Sequence, residues 1–272
     1  MNLENYFISL FNNKHIGDDA AFIDGFVYSK DAFFENVHFK KKWMSYEQIA
    51  QKAMLVNLSD AIAMNANPLY ALLSVAMPKT MSKQDMQALA KGFIGVAEAY
   101  GVEIIGGDTI SNTKLDITIT IISKTKKPLL RKGIRVNNLM AYTGNLGRSK
   151  KDLRKLFNGG FIHQKSKFIN IQLREDFINK TQRFLEAGMD ISDGLLSDLD
   201  KMASVNAIGF SFDKKITSAI GCSGEEYEML VAFDKRSRKA VLRRAEQSRT
   251  KITIFAKASR NRYKNRCKAH HF

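Results

Sequence analysis

Hydrophobic residues recur at helical spacing in two long segments of the chain. In residues 45–66, apolar positions return every three or four residues after Ser45, a residue that favours the start of a helix. Residues 82–100 repeat the pattern after Ser82. The spacing predicts two helices, each beginning at its serine. A shorter helix is predicted within residues 1–14.

Other apolar residues of the first half alternate or run together, as strands do. The string LDITITIIS alternates and predicts a half-buried strand, whereas LYALLSVAM is continuous and predicts a buried strand that ends at Pro78. The string GVEIIGGDT predicts a strand running into a glycine turn. Residues 16–34 predict two short strands joined by a turn.

The second half has the same mixture of patterns after a polar, basic stretch near residues 125–140. MAYTGNLG predicts a strand and a glycine turn, SGEEYEMLVAF a helix and a strand, AVLRRAEQ a helix, and KITIFAKA a strand. Residues 148–180 show no clear pattern. We therefore expect an α/β (α+β) protein of two domains, residues 1–135 and 136–272.

Composition restricts the class of protein. The chain has 272 residues, of which 44% are hydrophobic and only three are proline, so a packed core is expected. It has no apolar run long enough to cross a bilayer, and its first residues do not resemble a signal peptide. Cys222 and Cys267 are too few for a disulfide framework and lack the spacing of a zinc site. These features predict a cytoplasmic location.

The positive charge lies mainly at the C-terminal end. The formal net charge is +16, and residues 235–272 hold 14 Lys and Arg against one acid, Glu246. A basic tail of this kind can bind nucleic acid or an anionic surface. Because this segment also has helix and strand patterns, we favour a solvated face that attracts small anionic ligands.

Aspartates stand beside small residues at the predicted ends of several elements. They are Asp18, Asp19, Asp31, Asp60, Asp108, Asp190 and Asp193. Each one alone is explained by a helix cap or a turn. As a group they adjoin apolar segments with few basic residues nearby, Lys30 being the exception, and unpaired carboxylates near a core are costly. We therefore expect divalent metal ions between them.

An acid-lined site binds polyphosphates only through bridging Mg²⁺. The chain has no phosphate-binding loop of the G-x-x-x-x-G-K-[ST] type and no protein-kinase motifs. A nucleotide-using enzyme of this kind would depend on an aspartate–Mg²⁺ network.

Seven strings occur in the order typical of the thiamine-monophosphate kinase family. They are GDDAA, SKDAFFENVHF, VNLSDAIAMNANPLYALLSVAMP, IGGDTIS, MDISDGLLSDL, SGEEYEML and the terminal HHF. This family belongs with the aminoimidazole-ribonucleotide and selenophosphate synthetases and the hydrogenase-maturation ATP-binding proteins. The resemblance implies a PurM-like architecture, in which the N-terminal domains of a homodimer share a β-barrel and a C-terminal α/β domain completes the site.

The resemblance also implies ATP-dependent phosphorylation of thiamine monophosphate to thiamine diphosphate, and it assigns roles to residues. Mg²⁺ ligands would be Asp19, Ser29, Asp31, Asp60, Asp108, Asp190 and Asp193, among which Asp31, Asp60 and Asp190 would be catalytic. ATP contacts would be Gly107, Asp108, Arg131 and Ser192. Substrate contacts would be His38 and Glu225, with Tyr263 or Phe272 stacking on the thiamine rings.

Alternatives to these roles remain open at this point. His38 is alternatively a buried, hydrogen-bonded histidine, and Glu225 an exposed loop acid. Four residues depart from the family pattern: Lys30, Asn65, Arg148 and Glu226. The chain is also about a sixth shorter than typical members, around residues 148–188. Rival functions are a sister ATP-dependent enzyme with another substrate and a nucleic-acid-binding protein.

Overall fold

The computed structural model describes residues 3–268, which form two five-stranded sheets with helices packed against them. The fold is therefore mixed α/β, as expected. The first sheet uses residues 21–124 and the second uses residues 139–259. The part of the chain described here contains no helix that is both long enough and apolar enough to span a membrane.

The first sheet has the spatial order β1-β2-β5-β3-β4. Its strands are β1 (Ala21–Ile23), β2 (Phe26–Phe34), β3 (Asn67–Pro78), β4 (Glu103–Asn112) and β5 (Asp116–Lys124). Only β3 and β4 are parallel; the other neighbours in this sheet are antiparallel. The predicted end of a strand at Pro78 is confirmed.

Two long helices cover one face of this sheet, α2 (Tyr46–Ala63) and α3 (Lys83–Tyr100), and a short helix α1 (Leu3–Ser9) precedes them. Ser45 and Ser82 cap α2 and α3 as predicted, each accepting a hydrogen bond from the backbone three residues on. Helix α2 is buried on almost all sides, which explains why apolar residues surround it.

The alternation in β5 separates two faces of the sheet. Ile117, Ile119 and Ile121 are fully buried in the core with α2 and α3. The opposite face and the β4 edge carry exposed apolar side chains: Tyr28, Tyr70, Leu72, Ile105 and Ile110. This sheet therefore has one finished core face and one face without cover in the single chain.

The glycine turn predicted after GVEII is wrong, because β4 continues through both glycines to Asn112. A Cβ on Gly107 would lie 1.6 Å from the Leu73 carbonyl oxygen of β3. The glycines therefore permit close approach of two strand backbones rather than a reversal of the chain.

The second sheet has the order β7-β9-β6-β10-β8, with antiparallel neighbours. Its strands are β6 (Leu139–Thr143), β7 (Ala187–Asp190), β8 (Gly209–Phe212), β9 (Met229–Phe233) and β10 (Ile252–Ser259). The helices of this half are α4 (Arg148–Phe157), α5 (Glu175–Thr181), α6 (Leu195–Asn206), α7 (Ser218–Gly221) and α8 (Arg238–Gln247).

The helix predicted within SGEEYEM is also wrong. Residues 223–228 form an irregular loop in which Glu225 and Tyr227 have left-handed φ values of 54° and 48°. The Glu226 and Glu228 side chains are buried here and are held by polar partners from other segments. These tertiary contacts override the local helical pattern.

Part of residues 148–180, which show no clear sequence pattern, packs into the core of the first sheet. Phe168, Ile169 and Ile171 are buried in the same apolar cluster as α2 and α3. A segment of the second half thus contributes to the core of the first sheet.

Much of the basic C-terminal segment is part of the fold. Strand β10 lies between β6 and β8, and helix α8 buries Val241 and Ala245. Its basic side chains therefore stand on elements that the second sheet requires, and the segment is not a separate tail.

Candidate active site

A cavity of about 540 Å³ lies between the two halves and collects most of the predicted site residues. It is lined by Asp19, Asp31, His38, Asp60, Arg131, Asp190, Ser192, Asp193 and Glu225, together with Lys150, Lys201 and Tyr227. These residues come from strands, helices and loops of both halves, which are far apart in sequence. The fold therefore brings together residues that the sequence only suggested as a group.

Helix α2 and strand β2 position two of the carboxylates. Asp60 lies in the last turn of α2 and Asp31 near the end of β2. The Asn57 side chain, one turn before Asp60, accepts a hydrogen bond of 2.8 Å from the Asp31 backbone N–H. The backbone carbonyl oxygen of Asn57 accepts a hydrogen bond of 3.2 Å from the Ser29 hydroxyl. The strand is thereby joined to the helix beside the cavity.

Asp190 enters the cavity at the end of β7. Its side chain is almost completely buried and accepts a hydrogen bond of 2.6 Å from the Ser59 hydroxyl. Since Ser59 is on α2, this bond connects the second sheet to the helix that carries Asp60. One hydroxyl thus holds two carboxylate-bearing segments together.

The aspartates of this cavity are buried and repel one another, so their charged forms are destabilised. Burial raises the pKa of Asp60 well above its usual value, and Asp31, Asp190 and Asp19 raise it further. Burial and the neighbouring Asp19 likewise raise the pKa of Asp190, against the lowering effect of the Ser59 hydrogen bond. Cationic charge placed among these side chains would relieve the repulsion.

Two basic residues already provide part of this charge, contrary to the expectation that few would lie nearby. Arg131 bonds to Asp19 with its Nε and Nη2 at 3.0 and 2.6 Å. Lys201 Nζ lies 2.7 Å from Asp193 and 2.8 Å from Asp198. Arg131 is 112 residues from Asp19, so inspection of the strings did not reveal this pair. Lys201, in contrast, directly follows the string MDISDGLLSDLD and is close in sequence to both of its partners.

His38 lies in the loop after β2, with its ring stacked on Phe33 at 5.7 Å between centroids. Its Nδ1 accepts a hydrogen bond of 3.0 Å from the Phe34 backbone N–H. The His38 side chain also lines this cavity. The role of a hydrogen-bonded histidine and that of a ligand contact are therefore compatible here.

Lys52 is a feature that the sequence analysis missed. Its side chain is fully buried on α2, 2.9 Å from Glu225 Oε2 and 3.5 Å from the centre of the Phe168 ring. Burial lowers the pKa of Lys52, and Glu225 opposes that effect. The only sequence signal was a lysine inside an otherwise apolar helical segment.

Two loops hold Ser192 and Glu225 next to each other through backbone bonds. The Glu225 N–H donates to the Ser192 carbonyl at 2.7 Å, and the Tyr227 N–H donates to Ile191 at 2.8 Å. A disulfide joins Cys222, just before Glu225, to Cys267 near the C-terminal end. The sequence analysis took the two cysteines as too few for a disulfide framework and used this as an argument for a reducing compartment, so the cross-link contradicts that part of the reasoning.

Several predicted residues lie elsewhere. Ser29 is buried with its hydroxyl bonded to Asn57, and Gly107 and Asp108 line a different, mainly apolar pocket beside α3. Tyr263 packs against Phe210 in the second half and donates to the Leu196 carbonyl. Phe272 and the terminal HHF string lie outside the described residues.

Five of the seven predicted metal ligands line this cavity, without forming a tight ligand set: Asp19, Asp31, Asp60, Asp190 and Asp193. Within residues 3–268, no three His, Cys, Asp or Glu side chains are arranged to hold a metal ion. Asp19 Oδ2, however, is buried and has no hydrogen-bond partner in that part of the chain. A buried carboxylate oxygen without a donor suits a cation.

Comparisons with known proteins agree with this arrangement. The family model described as AIR synthase related protein, N-terminal domain, matches residues 17–125. The thiamine-monophosphate kinase of Buchnera aphidicola subsp. Schizaphis graminum is 31% identical over 262 residues, covering 82% of this chain and 78% of that protein. The chain belongs to the thiamine-monophosphate kinase family.

Another member of this family, from Bacillus subtilis, is 32% identical over 216 residues; the match covers 71% of this chain and 65% of that protein. The fold is similar to a solved structure described as AaThiL complexed with AMPPCP and TMP. That comparison has a TM-score of 0.84 and 23% identity, with 96% of this chain and 91% of the other covered. This chain therefore shares its mixed α/β fold with that structure along nearly its whole length.

Proposed function

We propose that the protein phosphorylates thiamine monophosphate with ATP, forming thiamine diphosphate. The observation that carries the proposal is the single cavity that gathers Asp19, Asp31, Asp60 and Asp190 with His38 and Glu225. The names of its relatives and the AMPPCP and TMP of the AaThiL structure support this choice of substrates.

Mg²⁺ fits the carboxylates of this cavity. The ion usually keeps several waters and takes one or two carboxylates plus phosphate oxygens, so it does not need a closed protein cage. The Asp19 oxygen without a donor and the raised pKa values of Asp60 and Asp190 favour a cation there. Held by these aspartates, Mg²⁺ would neutralise the charge of the phosphate groups.

The remaining residues would orient the two substrates. Arg131 and Ser192 would contact ATP, with the Arg131 guanidinium fixed by Asp19. His38 would contact thiamine monophosphate, and Glu225, held by Lys52, would accept hydrogen bonds from its rings or offset their charge.

Transfer would then proceed in line, from the γ-phosphate of ATP to the phosphate oxygen of the substrate. A phosphate monoester oxygen is already a nucleophile, so the protein needs no strong base and no covalent intermediate. Its contribution is to position two anions and to balance their charge.

We also propose that two copies pair through the open face of the first sheet. The exposed Tyr70, Leu72, Ile105 and Ile110 on this face and edge would be covered by the same face of a second copy, forming a shared barrel. Asp108 and Gly107 stand on this edge, so they would contact the nucleotide bound to the partner rather than to their own chain.

Mixing two inactive variants tests this pairing. If Asp60 acts in its own chain and Asp108 in the partner, Asp60→Asn and Asp108→Asn each remove activity. Subunit exchange between them would restore about a quarter of the wild-type rate, because half of the dimers would hold one intact site. No recovery after confirmed exchange would show that Asp60 and Asp108 of one site come from the same chain. Failure of the subunits to exchange at all would speak against the dimer.

The activity itself is tested with protein, Mg²⁺, ATP and thiamine monophosphate, looking for thiamine diphosphate. We expect product that disappears when Mg²⁺ is removed. ATP turnover only with other phosphorylated acceptors would identify a sister enzyme instead. Absence of any ATP turnover by folded protein would refute the proposed function.

Binding of nucleic acid through the basic segment is the second candidate. It has less support, because α8 and β10 belong to the second sheet. Truncation of residues 235–272 would destroy that sheet, so charge reversal on exposed residues such as Arg243 is the proper test.

Cytoplasmic location also stays a prediction, which fractionation of the producing cells would check.

A further inference from the structure

A second cavity, of about 320 Å³, lies beside the loop after β6 and has the opposite charge. It is formed by residues 144–148, by the segment 165–174 that precedes α5, and by residues 249–251 before β10. The proposed phosphoryl transfer does not use any of these segments. Their side chains therefore need a separate explanation.

Six basic side chains line this cavity against one carboxylate, that of Glu228. They are Arg148, Lys165, Lys167, Arg174, Arg249 and Lys251. Glu228 is fully matched: Arg174 bonds to both of its oxygens at 2.6 and 2.7 Å, and Lys167 Nζ lies 2.9 Å away. Although burial raises the pKa of Glu228, these partners hold it below its usual value.

The other charges are in excess. Lys167 also forms an ion pair with Glu226, at 2.9 Å. Arg148, Lys165, Arg249 and Lys251 form no ion pair with a carboxylate in residues 3–268. Counting Glu226 and Glu228 against the six cations leaves about four positive charges around one small concave space.

Parts of this cavity are preorganised for an anion. Arg174 is held in place by its two bonds to Glu228, and Lys251 by a bond of 2.6 Å to the Asn145 side chain. The side-chain amides of Asn170 and Gln172 add further donors to the lining. Fixed guanidinium and ammonium groups of this kind suit phosphate oxygens.

The first turn of α4 separates the two cavities. We call the space around Arg174 and Lys251 the basic cavity, and the candidate active site around Asp60 and Asp190 the carboxylate cavity. Arg148 lines the basic cavity, whereas its neighbours Ser149 and Lys150 line the carboxylate cavity. The two cavities also differ in how they can bind phosphate, because the carboxylate cavity repels phosphates unless a divalent cation is present. The basic cavity attracts them directly.

We propose that the basic cavity binds a small polyanion carrying a diphosphate group, without the help of a divalent metal. The excess of about four charges matches the charge of such a group, and the volume is at the lower end of small-molecule sites. The diphosphate belongs either to free pyrophosphate or to a larger molecule such as thiamine diphosphate or ADP.

Metal-free titration isolates this site from the active site. Protein stripped of metals on a chelating resin is titrated with inorganic pyrophosphate in a calorimeter, then with thiamine diphosphate and with ADP. We expect one pyrophosphate per chain at low salt. Tighter binding of one of the two organic molecules would show that the cavity also recognises what carries the diphosphate.

Two double variants distinguish a site from diffuse attraction. Arg249→Gln with Lys251→Gln should weaken pyrophosphate binding at least tenfold. Arg243→Gln with Arg260→Gln removes the same charge from exposed residues that do not line the cavity and should leave the affinity within twofold. Circular dichroism checks that both variants remain folded.

Equal weakening in both double variants would overturn the proposal, as would absence of metal-free binding by the wild type. Neither result depends on kinase activity. The kinase assay and this titration can therefore fail independently of each other.

Discussion

The carboxylate cavity and the basic cavity share a wall but balance their charges in opposite ways. In the carboxylate cavity, Arg131 and Lys201 neutralise part of the acid, and Asp60 and Asp190 keep raised pKa values. In the basic cavity, Glu228 is fully matched and the excess is positive. The sign of the excess indicates which partner each cavity requires, a metal cation in one and an anion in the other.

The sharpest way to break this comparison is to remove a carboxylate. Asp60→Asn should lower thiamine diphosphate formation on the order of a hundredfold or more, since the phosphates lose part of the charge that balances them. Steady-state kinetics with saturating Mg²⁺ measures the effect. Asp176→Asn, at an exposed surface ion pair with Lys180, is the matched control and should keep full activity.

If Asp60→Asn keeps the wild-type rate while folded, Asp60 does not hold a catalytic metal, and the contrast between the cavities loses its functional meaning.

The loop of residues 223–228 lines both cavities, and the Cys222–Cys267 disulfide restrains it. Cys267→Ser should lower the free energy of unfolding by roughly 2–4 kcal/mol, because the cross-link closes a long loop in the unfolded chain. Urea unfolding measures this difference, and wild type with reducing agent serves as the second sample. Identical stability of the oxidised and reduced wild type would mean that the bond contributes nothing to this region.

Lys52 tests whether the carboxylate cavity needs a buried cation behind Glu225. Lys52→Met keeps the volume near Phe168 but frees the Glu225 carboxylate, so the KM for thiamine monophosphate should rise on the order of tenfold while kcat changes less. Lys91→Met is the control, because Lys91 pairs with Glu47 on the surface.

A purely structural role for Lys52 would lower the melting temperature and leave the KM unchanged. That result would remove Lys52 from the substrate site.

The smallest expected effect is a pH dependence of stability in the metal-free protein. The folded pKa values of Asp60 and Asp190 are raised, so the folded state holds more protons than the unfolded state above about pH 4. Their contribution to the free energy of unfolding therefore falls as pH rises towards the folded pKa values. Urea unfolding at pH 5 and pH 8 should show a smaller fall for Asp190→Asn than for wild type.

Added Mg²⁺ should reduce this fall in the wild type more than in the variant. A slope that is identical in both proteins, with and without Mg²⁺, would contradict the charge repulsion on which the comparison depends.

Local patterns predicted the elements whose contacts are mainly local. The helices after Ser45 and Ser82 begin where the capping serines stand, and β5 alternates as its sequence does. The predicted helix before β9 failed, because the buried Glu226 and Glu228 are held by residues of other segments. The predicted glycine turn failed because Gly107 meets the backbone of another strand.

The candidate site was predictable only in part. The aspartate strings and their order pointed to the family and to the residues that line the cavity. They did not reveal Lys52, the Arg131–Asp19 pair, or the place of Asp108 on an outer edge. Each of these depends on a contact between segments far apart in the chain, or on a surface that a single chain leaves open.

The amino-acid sequence alone determined which side chains carry charge and where helices and strands begin, because capping and alternation act over a few neighbouring residues. The tertiary structure alone decided how the charges are shared. It placed two cavities of opposite sign on either side of one helical turn, because electrostatic energy depends on distance through space and not on separation along the chain.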